Sequence, residues 1–317
     1  MKTRQLGKNG PELSVIGLGT WAIGGPWQWG WGPQNDADSI AAIRTSLENG
    51  INWIDTAPAY GLGHAEEIVA KALQDFRRDE VFIATKCGLV WDDKRKVRIH
   101  LRPESIRQEV ENSLRRLNIE QIDLYQHHWP DPNTSLNDSW GEMVRLKEEG
   151  KVHYIGVCNY DAKLLEKCCK IQPVQSLQPP LSLVKRDYLD ETLPYCLENE
   201  IGVVAYSPLQ TGLLTGKFNR AKLAKDDWRS RDKYFNEPLI SKILDFVEKL
   251  RPLAENRGFE VLHLAIAWVL AQKPVTSAII GARNAGQAAV NVRAAKFELS
   301  GDELSRIAEY LREMGEI

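Results

Sequence analysis

Short apolar runs rich in valine and isoleucine alternate along the chain with longer stretches of helical periodicity. Runs of four to eight residues bounded by turn residues are typical of buried strands, whereas apolar positions spaced three and four apart predict amphipathic helices. Strand-like runs occupy residues 14–19, 51–55, 81–86, 122–127, 152–157, 174–177, 202–206 and 277–281. Helical patterns between them include residues 38–49, 103–117, 136–149, 161–170 and 189–200.

The spacing of these runs predicts a parallel barrel. Most intervals are too long for a hairpin and long enough for a crossover helix, which favours parallel strands. Eight such units favour a closed (β/α)8 TIM barrel over an open doubly wound sheet. No linker or change in composition divides the sequence, so we expect a single domain over residues 1–317.

Three segments fall outside the repeating pattern. Residues 4–13, with a turn at Lys8-Asn9-Gly10, predict an N-terminal β-hairpin over the bottom of the barrel. Two helical patterns, 239–257 and 260–273, lie between the seventh and eighth strands, so one of them is an extra helix. The tail at 302–314 predicts a second extra helix outside the barrel.

Composition narrows the range of functions. The 41 basic and 43 acidic side chains leave a formal net charge of −2, which disfavours nucleic-acid and membrane partners. The five cysteines show no metal-ligand spacing, so we expect neither disulfides nor a metal, and a reducing, cytoplasmic location. No signal-like or membrane-spanning apolar run is present in the sequence. A monomer is the default expectation.

Polar side chains follow the predicted strands where those strands end. The carboxyl ends of barrel strands meet at one mouth, where the chemistry of such folds is placed. A whole ring of polar groups there is hard to explain by packing. The ring comprises Asp55, Lys86, His127, His128, Asn159, Gln178, Tyr206, Ser207 and Arg283.

Part of this ring predicts carbonyl reduction. Asp55 and Lys86 end neighbouring strands and can form an ion pair, which alone could be structural. Tyr60 lies five residues beyond Asp55, so its hydroxyl can fold back toward Lys86. A nearby ammonium lowers the pKa of a phenol from its usual value of about 10 and favours proton transfer to an alkoxide. A neutral histidine from the fourth strand could orient the substrate oxygen.

The histidine pair His127-His128 leaves two points open. Side chains alternate along a strand, so only one of the two can face the mouth. The pair also allows a metal site, although no cysteine or carboxylate stands at a recognisable ligand spacing.

Several segments, in order along the chain, closely resemble the aldo-keto reductase family, in its bacterial, potassium-channel-β-subunit-like branch. The resemblance implies the catalytic residues Asp55, Tyr60, Lys86 and His128; the histidine is chosen because it falls five positions after Asp123. The matching segments are residues 17–21, 52–57, 60–61, 122–130, 155–159, 204–209, 212–214 and 280–283.

The resemblance also implies NADPH or NADP+ extended across the mouth. Asn159 and Gln178 would bind the nicotinamide carboxamide, and Tyr206 would stack on its ring. Cys158 stands where the family usually has serine, which weakens one donor. The implied cofactor-binding residues are Gly19, Thr20, Trp21, Asp55, Asn159, Gln178, Tyr206, Ser207, Leu209, Gly212, Gly281, Arg283, Gln287 and Asn291.

Two glycine-containing segments compete as phosphate sites. Residues 17–22 match GxGxxG/A, but glycines and prolines prevent a helix until about Asp36, so we reject a Rossmann site. Residues 281–284 lie between a strand and a helix start, a favourable place for phosphate. Arg283 there could grip a 2′-phosphate and favour NADPH over NADH. The alternative is a capping loop with a solvated arginine.

Tryptophans are concentrated in the predicted mouth loops. They predict an aromatic-walled pocket for small, largely uncharged aldehydes or ketones. The alternative is that most of them only wedge the loop onto the barrel. The predicted pocket residues are Trp21, Trp29, Trp91 and Trp129.

The leading interpretation is therefore an NADPH-dependent oxidoreductase acting on a small carbonyl substrate, with Tyr60 as general acid. Two rivals remain. One is a lyase that forms a Schiff base on Lys86. The other is an NADPH-binding regulatory barrel with little turnover.

Overall fold

The computed structural model describes residues 1–223 and 227–315. Its strands are β1 (Thr3–Gln5), β2 (Glu12–Ser14), β3 (Ile16–Gly19), β4 (Trp53–Asp55), β5 (Phe82–Cys87), β6 (Leu89–Trp91), β7 (Val97–Ile99), β8 (Ile122–His127), β9 (Val152–Cys158), β10 (Ser176–Gln178), β11 (Gly202–Tyr206) and β12 (Val275–Gly281). Its helices are α1 (Asp36–Glu48), α2 (His64–Ala72), α3 (Pro103–Leu117), α4 (Leu136–Glu148), α5 (Ala162–Cys169), α6 (Thr192–Glu198), α7 (Leu239–Glu255), α8 (Val261–Ala271), α9 (Ala285–Val292) and α10 (Gly301–Met314).

Eight parallel strands close into the predicted barrel, in the order β3-β4-β5-β8-β9-β10-β11-β12. The pairing of β12 with β3, which sets Gly281 beside Gly19, completes the ring. All strands run in one direction, so their carboxyl ends share one mouth. Helix α1 begins only at Asp36, well past the glycines of β3, as the rejection of a Rossmann site requires. The (β/α)8 prediction is confirmed.

The N-terminal hairpin covers the opposite end of the barrel, as predicted. β1 and β2 pair antiparallel, with Thr3 opposite Ser14. Leu6 and Leu13 are fully buried and pack with Trp53 inside the barrel. Gly17 makes room for this indole, because a Cβ there would lie 2.1 Å from Cε2 of Trp53. The floor of the barrel is therefore a packed apolar layer.

Two helices lie outside the eightfold repeat. Helix α8 packs on β12 and is buried along nearly its whole length, so it belongs to the barrel. Helix α7 packs on α8 and on α10. The two extra helices of the prediction are therefore α7 and α10.

Some local predictions were wrong or missing. The first barrel strand begins at Ile16, because Ser14 belongs to the hairpin strand β2. The hairpin formed by β6 and β7 was not anticipated, since a polar turn at 92–96 separates its two short apolar halves. This hairpin follows β5 directly and stands beside the mouth. Within the described residues no helix is both long and apolar enough to cross a membrane.

Candidate active site

A buried ion pair lies at the mouth between β4 and β5. Lys86 is fully buried, and its Nζ donates to both carboxylate oxygens of Asp55 at 2.8 Å. The same ammonium donates to the carbonyl of Thr56 at 2.9 Å. Because a buried charge needs a partner and hydrogen bonds, this geometry fixes the lysine in one position.

Tyr60 completes the contact from the loop after β4. Nζ of Lys86 donates to the Tyr60 hydroxyl at 3.2 Å. The loop is held against the β3–α1 loop through Gly61, whose φ is +65°. A Cβ on Gly61 would lie 1.9 Å from the carbonyl oxygen of Gly24, so the two backbones touch directly. The phenol is therefore set by backbone packing as well as by Lys86.

The charges of this group are governed by burial and mutual attraction. Burial raises the pKa of Tyr60 above its ordinary value, against the lowering effect of Lys86, and Asp55 raises it further. We expected Lys86 to dominate; its effect is present but smaller than desolvation. For Lys86, burial lowers the pKa, but attraction to Asp55 and Tyr60 outweighs this and raises it overall. At neutral pH the group holds a phenol and an ammonium.

The two adjacent histidines face different environments. The ring of His128 lies 5.7 Å from that of Tyr60, centroid to centroid, in an edge-on arrangement. His127 points into the helix layer, where its Nδ1 lies 3.0 Å from the Tyr160 hydroxyl and its ring packs on Trp140. Burial, helped by Lys86, lowers the pKa of His128 well below its usual value. His128 is therefore the mouth-facing imidazole, and it is neutral.

Two amides join the ion pair to the strands beyond it. Gln178 donates from Nε2 to Oδ1 of Asp55 at 2.7 Å. Asn159, in a left-handed conformation with φ of +63°, donates to the carbonyl of His128 at 2.9 Å. Its Oδ1 accepts from the Tyr206 hydroxyl at 2.9 Å. Because the backbone N–H of Asn159 also donates to the carbonyl of Gln178 at 3.1 Å, one hydrogen-bonded group spans the mouth from β4 to β11.

Arg283 lies apart from this group, in the turn between β12 and α9. Its Nε donates to Oε1 of Gln34 at 2.7 Å, and its Nη2 donates to the carbonyl of Pro33 at 2.7 Å. Gln34 in turn donates to the Arg283 carbonyl at 2.7 Å. The loop before α1 therefore holds the arginine by both side chain and backbone.

Gln287 and Asn291 support the same turn. Oε1 of Gln287 accepts from the backbone N–H of Arg283 at 2.8 Å. Nδ2 of Asn291 donates to the carbonyl of Gly281 at 3.0 Å. Both side chains are thus engaged with the backbone in this structure.

The remaining residues of the predicted cofactor site lie in two loops. Thr20, just after Gly19, donates from its N–H and its Oγ1 to the carbonyl of Asp55, at 2.9 and 3.1 Å. In the loop after β11, Ser207 has φ of +54° and Gly212 has φ of +104°. The side chain of Leu209 packs on the main core, so only its backbone can serve a ligand.

The aromatic wall of the mouth loops consists of two groups of packed rings, Trp27 with Trp29 and Trp21 with Trp31 and Trp228. Trp27 lies nearest the phenol, with its ring centroid 6.0 Å from that of Tyr60. Trp21 packs at 5.5 Å on Trp228, which comes from the loop before α7. Trp27 and Trp228 were missing from the predicted pocket, because loop sequence carries no periodicity that places a side chain. Trp29 and Trp129 are 37% and 40% exposed, and Trp91 packs with Trp27.

No group of three or more histidine, cysteine or acidic side chains in the described part of the chain could hold a metal ion. The polar group at the mouth instead consists of a phenol, an ammonium, a carboxylate, an imidazole and two amides.

Comparison with known proteins agrees with this arrangement. A model of the Aldo/keto reductase family matches residues 15–312. The chain belongs to the aldo/keto reductase family.

Individual aldo/keto reductases resemble the whole chain. Aldo-keto reductase YhdN of Bacillus subtilis (strain 168) is 41% identical over 290 residues, 90% of this chain and 86% of the relative. The NADH-specific methylglyoxal reductase of Escherichia coli (strain K12) is 38% identical, over 100% of this chain and 99% of the relative. The structure of the glycerol dehydrogenase AKR11B4 from Gluconobacter oxydans superposes with a TM-score of 0.91 at 41% identity, covering 99% and 96% of the two chains. The resemblance found in the sequence is thereby confirmed.

Proposed function

We propose that this aldo/keto reductase interconverts small aldehydes or ketones and alcohols with NADPH, with Tyr60 as general acid in the direction of reduction. The observation that carries the proposal is the 3.2 Å contact between the Tyr60 hydroxyl and the buried, Asp55-bound ammonium of Lys86. A protonated phenol next to a fixed positive charge can release its proton where negative charge develops.

The residues at the mouth fit a nicotinamide cofactor. Gln178 presents its amide beside Asp55, and Asn159 presents its amide between the His128 carbonyl and the Tyr206 hydroxyl; two such amides suit a carboxamide. Cys158 ends β9 beside them, and burial raises the pKa of its thiol, so it remains uncharged. When bound, the cofactor supplies or accepts a hydride.

A second part of the fit is the turn that opens α9. Backbone N–H groups at a helix start attract phosphate, and Arg283 lies in that turn. Ser207, Leu209 and Gly212 provide backbone for the pyrophosphate, and Gln287 and Asn291 lie on the adenine side.

During reduction each of the chain's own groups has one task. The neutral imidazole of His128 donates a hydrogen bond that orients the substrate oxygen. Tyr60 transfers its hydroxyl proton to that oxygen as negative charge develops. Lys86 stabilises the resulting phenolate, and Asp55 keeps Lys86 charged and in place. The tryptophan wall limits access of water to the reacting carbonyl.

The preference for NADPH rests on Arg283. Its Nε and Nη2 are engaged with residues 33–34, which leaves Nη1 and the second Nη2 hydrogen to bind a phosphate from the end of the guanidinium. One relative carries the name of an NADH-specific enzyme, so the preference must be measured directly.

The contacts of Lys86 with Asp55 weigh against a Schiff-base lyase. Such chemistry needs an uncharged amine, whereas the pKa of Lys86 is raised by Asp55. No contact of this kind weighs against a regulatory barrel with little turnover. Only the rate of carbonyl reduction distinguishes that hypothesis from an enzyme.

The test is oxidation of NADPH and of NADH with a panel of aldehydes, ketones and aldoses. Methylglyoxal belongs in the panel because a relative is named for it. We expect turnover with NADPH, and a loss of roughly a thousandfold or more in kcat for Tyr60→Phe with cofactor binding retained. Tight cofactor binding without turnover on any carbonyl would instead support the regulatory barrel.

A further inference from the structure

An open cavity of about 800 Å³ lies beside the mouth. One wall is formed by residues 26–28 and the other by residues 94–96, the turn of the β6–β7 hairpin. We call Lys94, Arg95 and Lys96 the basic turn. Trp27 links the cavity to the phenol, because it lines the cavity and its ring lies 6.0 Å from the ring of Tyr60.

The basic turn is held in a defined shape by contacts that leave its lysine ammonium groups free to act. Arg95 has φ of +63° and donates from Nη2 to the carbonyl of Pro26 at 3.1 Å. Oδ1 of Asp92 accepts from the backbone N–H groups of Lys94 and Lys96, at 3.0 and 2.9 Å. The hairpin is therefore docked on residues 26–28 through the Arg95 side chain, and Asp92 shapes its turn.

The charges of the basic turn are not neutralised by the protein. Among the described residues, no carboxylate oxygen lies within 4.0 Å of a charged nitrogen of Lys94, Arg95 or Lys96. Asp93 is exposed on the same turn, and Asp92 is engaged with backbone. Three consecutive cations repel one another, and an anion between them would relieve this repulsion.

A second observation also points to a ligand. The indole N–H of Trp27 is buried and has no hydrogen-bond partner among the described residues. A buried donor without a partner costs free energy, which a ligand oxygen could recover. An unsatisfied donor therefore belongs to a residue of one cavity wall, and three cations belong to the other wall.

We propose that the basic turn binds the phosphate of an acyclic phosphorylated aldehyde whose carbonyl lies against Tyr60. The proposal rests on the proposed carbonyl reduction and names its substrate class, which differs from the uncharged carbonyls expected from the sequence. In the reaction the aldehyde carbon gains a hydride from the reduced nicotinamide cofactor, and its oxygen takes the proton of Tyr60. The phosphate ester remains intact.

The first experiment compares kcat/KM for erythrose 4-phosphate and for erythrose. The parent, Lys94→Ala/Lys96→Ala and Arg98→Ala/Arg102→Ala are measured side by side. The last variant removes the same charge from exposed residues that do not line the cavity. We expect the lysine variant to lose roughly ten- to hundredfold with the phosphorylated aldehyde and less than about twofold with erythrose. The arginine variant should change kcat/KM only slightly, and by the same factor for both aldehydes.

A binding measurement separates this proposal from the proposed function. Calorimetry with the unreactive erythritol 4-phosphate and with erythritol needs no turnover. The site is supported if the parent binds erythritol 4-phosphate selectively and the lysine variant does not. This result would stand even if neither aldehyde were reduced. In that case only the proposed function fails. Equal binding of the two alcohols by the parent, or phosphate binding unaffected by the lysine substitutions, would overturn the proposal.

Discussion

Gln178 donates its amide hydrogen to Oδ1 of Asp55 at 2.7 Å, the same oxygen that accepts from Lys86. An amide expected to bind the cofactor is thereby tied directly to the carboxylate that anchors Lys86. If the nicotinamide binds as proposed, its binding and the placement of Lys86 are therefore linked through one oxygen atom.

Gln178→Met tests this link. We expect the KM for the cofactor to rise and kcat to fall about tenfold, because the loss of one hydrogen bond to a charged group costs about 1.5–3 kcal/mol. Gln175→Met is the matched control, since Gln175 donates to the carbonyl of Leu6 at the opposite end of the barrel. Both variants are compared by steady-state kinetics, and equal kinetic effects would argue against the link.

Lys86→Met tests how much the ion pair between Lys86 and Asp55 contributes to stability. Removal of one partner leaves the Asp55 charge buried, so we expect the free energy of unfolding to fall by about 3–5 kcal/mol. Urea denaturation measures this loss, and Lys86→Met/Asp55→Asn should recover part of it while remaining inactive. A single variant as stable as the parent would show that the pair adds nothing to the fold.

The pH dependence of carbonyl reduction follows from Tyr60. The acid must be protonated, and burial raises its pKa, so the group stays active as the pH increases. With saturating cofactor and substrate, we expect kcat to stay level from neutral pH to at least about pH 10, the ordinary value for tyrosine, and to fall only above it. A decline near neutral pH in a stopped-flow pH series would exclude Tyr60 as the sole acid.

Arg283→Ala should discriminate between the two cofactors. Loss of a charge-assisted contact to the 2′-phosphate is expected to raise the KM for NADPH by roughly ten- to hundredfold and to leave that for NADH nearly unchanged. Gln34→Ala should give a smaller effect in the same direction, because Gln34 only positions the guanidinium. Arg293→Ala, which removes a contact to the carbonyl of Gly258, is the control. Equal effects on both cofactors would contradict the assignment.

Glu109 gives the fold a pH dependence of its own. Burial raises the pKa of this carboxyl from 4.5 to about 7, against hydrogen bonds from Gly88 and Ser105. Its contribution to stability is therefore complete below about pH 4.5 and is lost as the pH rises through 7, a difference of about 3 kcal/mol. Glu109→Gln should remove this difference between pH 5 and pH 8 in denaturant titrations. Exposed Glu104→Gln on the same helix should retain it.

The barrel was predictable because its strands are buried on both faces. β5 and β8 are each buried at five of their six positions, and their ends place Lys86 and His128 at a common mouth. The short hairpin of β6 and β7 was missed because three-residue strands carry too little periodicity. Helix α2 was missed as well, since its apolar residues follow a glycine-rich turn.

Contacts between distant loops lay beyond sequence reasoning. Gln34 and Arg283 are 249 positions apart, and nothing in either segment signals their pairing. The same holds for Trp228, which packs on Trp21 from a loop without regular structure. The direction of the pKa shift of Tyr60 was not predictable either. Burial raises this pKa and Lys86 lowers it, and the sequence does not show how far the hydroxyl is buried.

The direct backbone contact between Gly24 and Gly61 has a consequence for altering specificity. Any larger residue at position 61 would push the β3–α1 loop outward and move the Tyr60 phenol with it. Substitutions at the outer positions, such as Trp29, leave that junction untouched. New substrates can thus be sought by changing the outer tryptophans, while Tyr60 keeps its place.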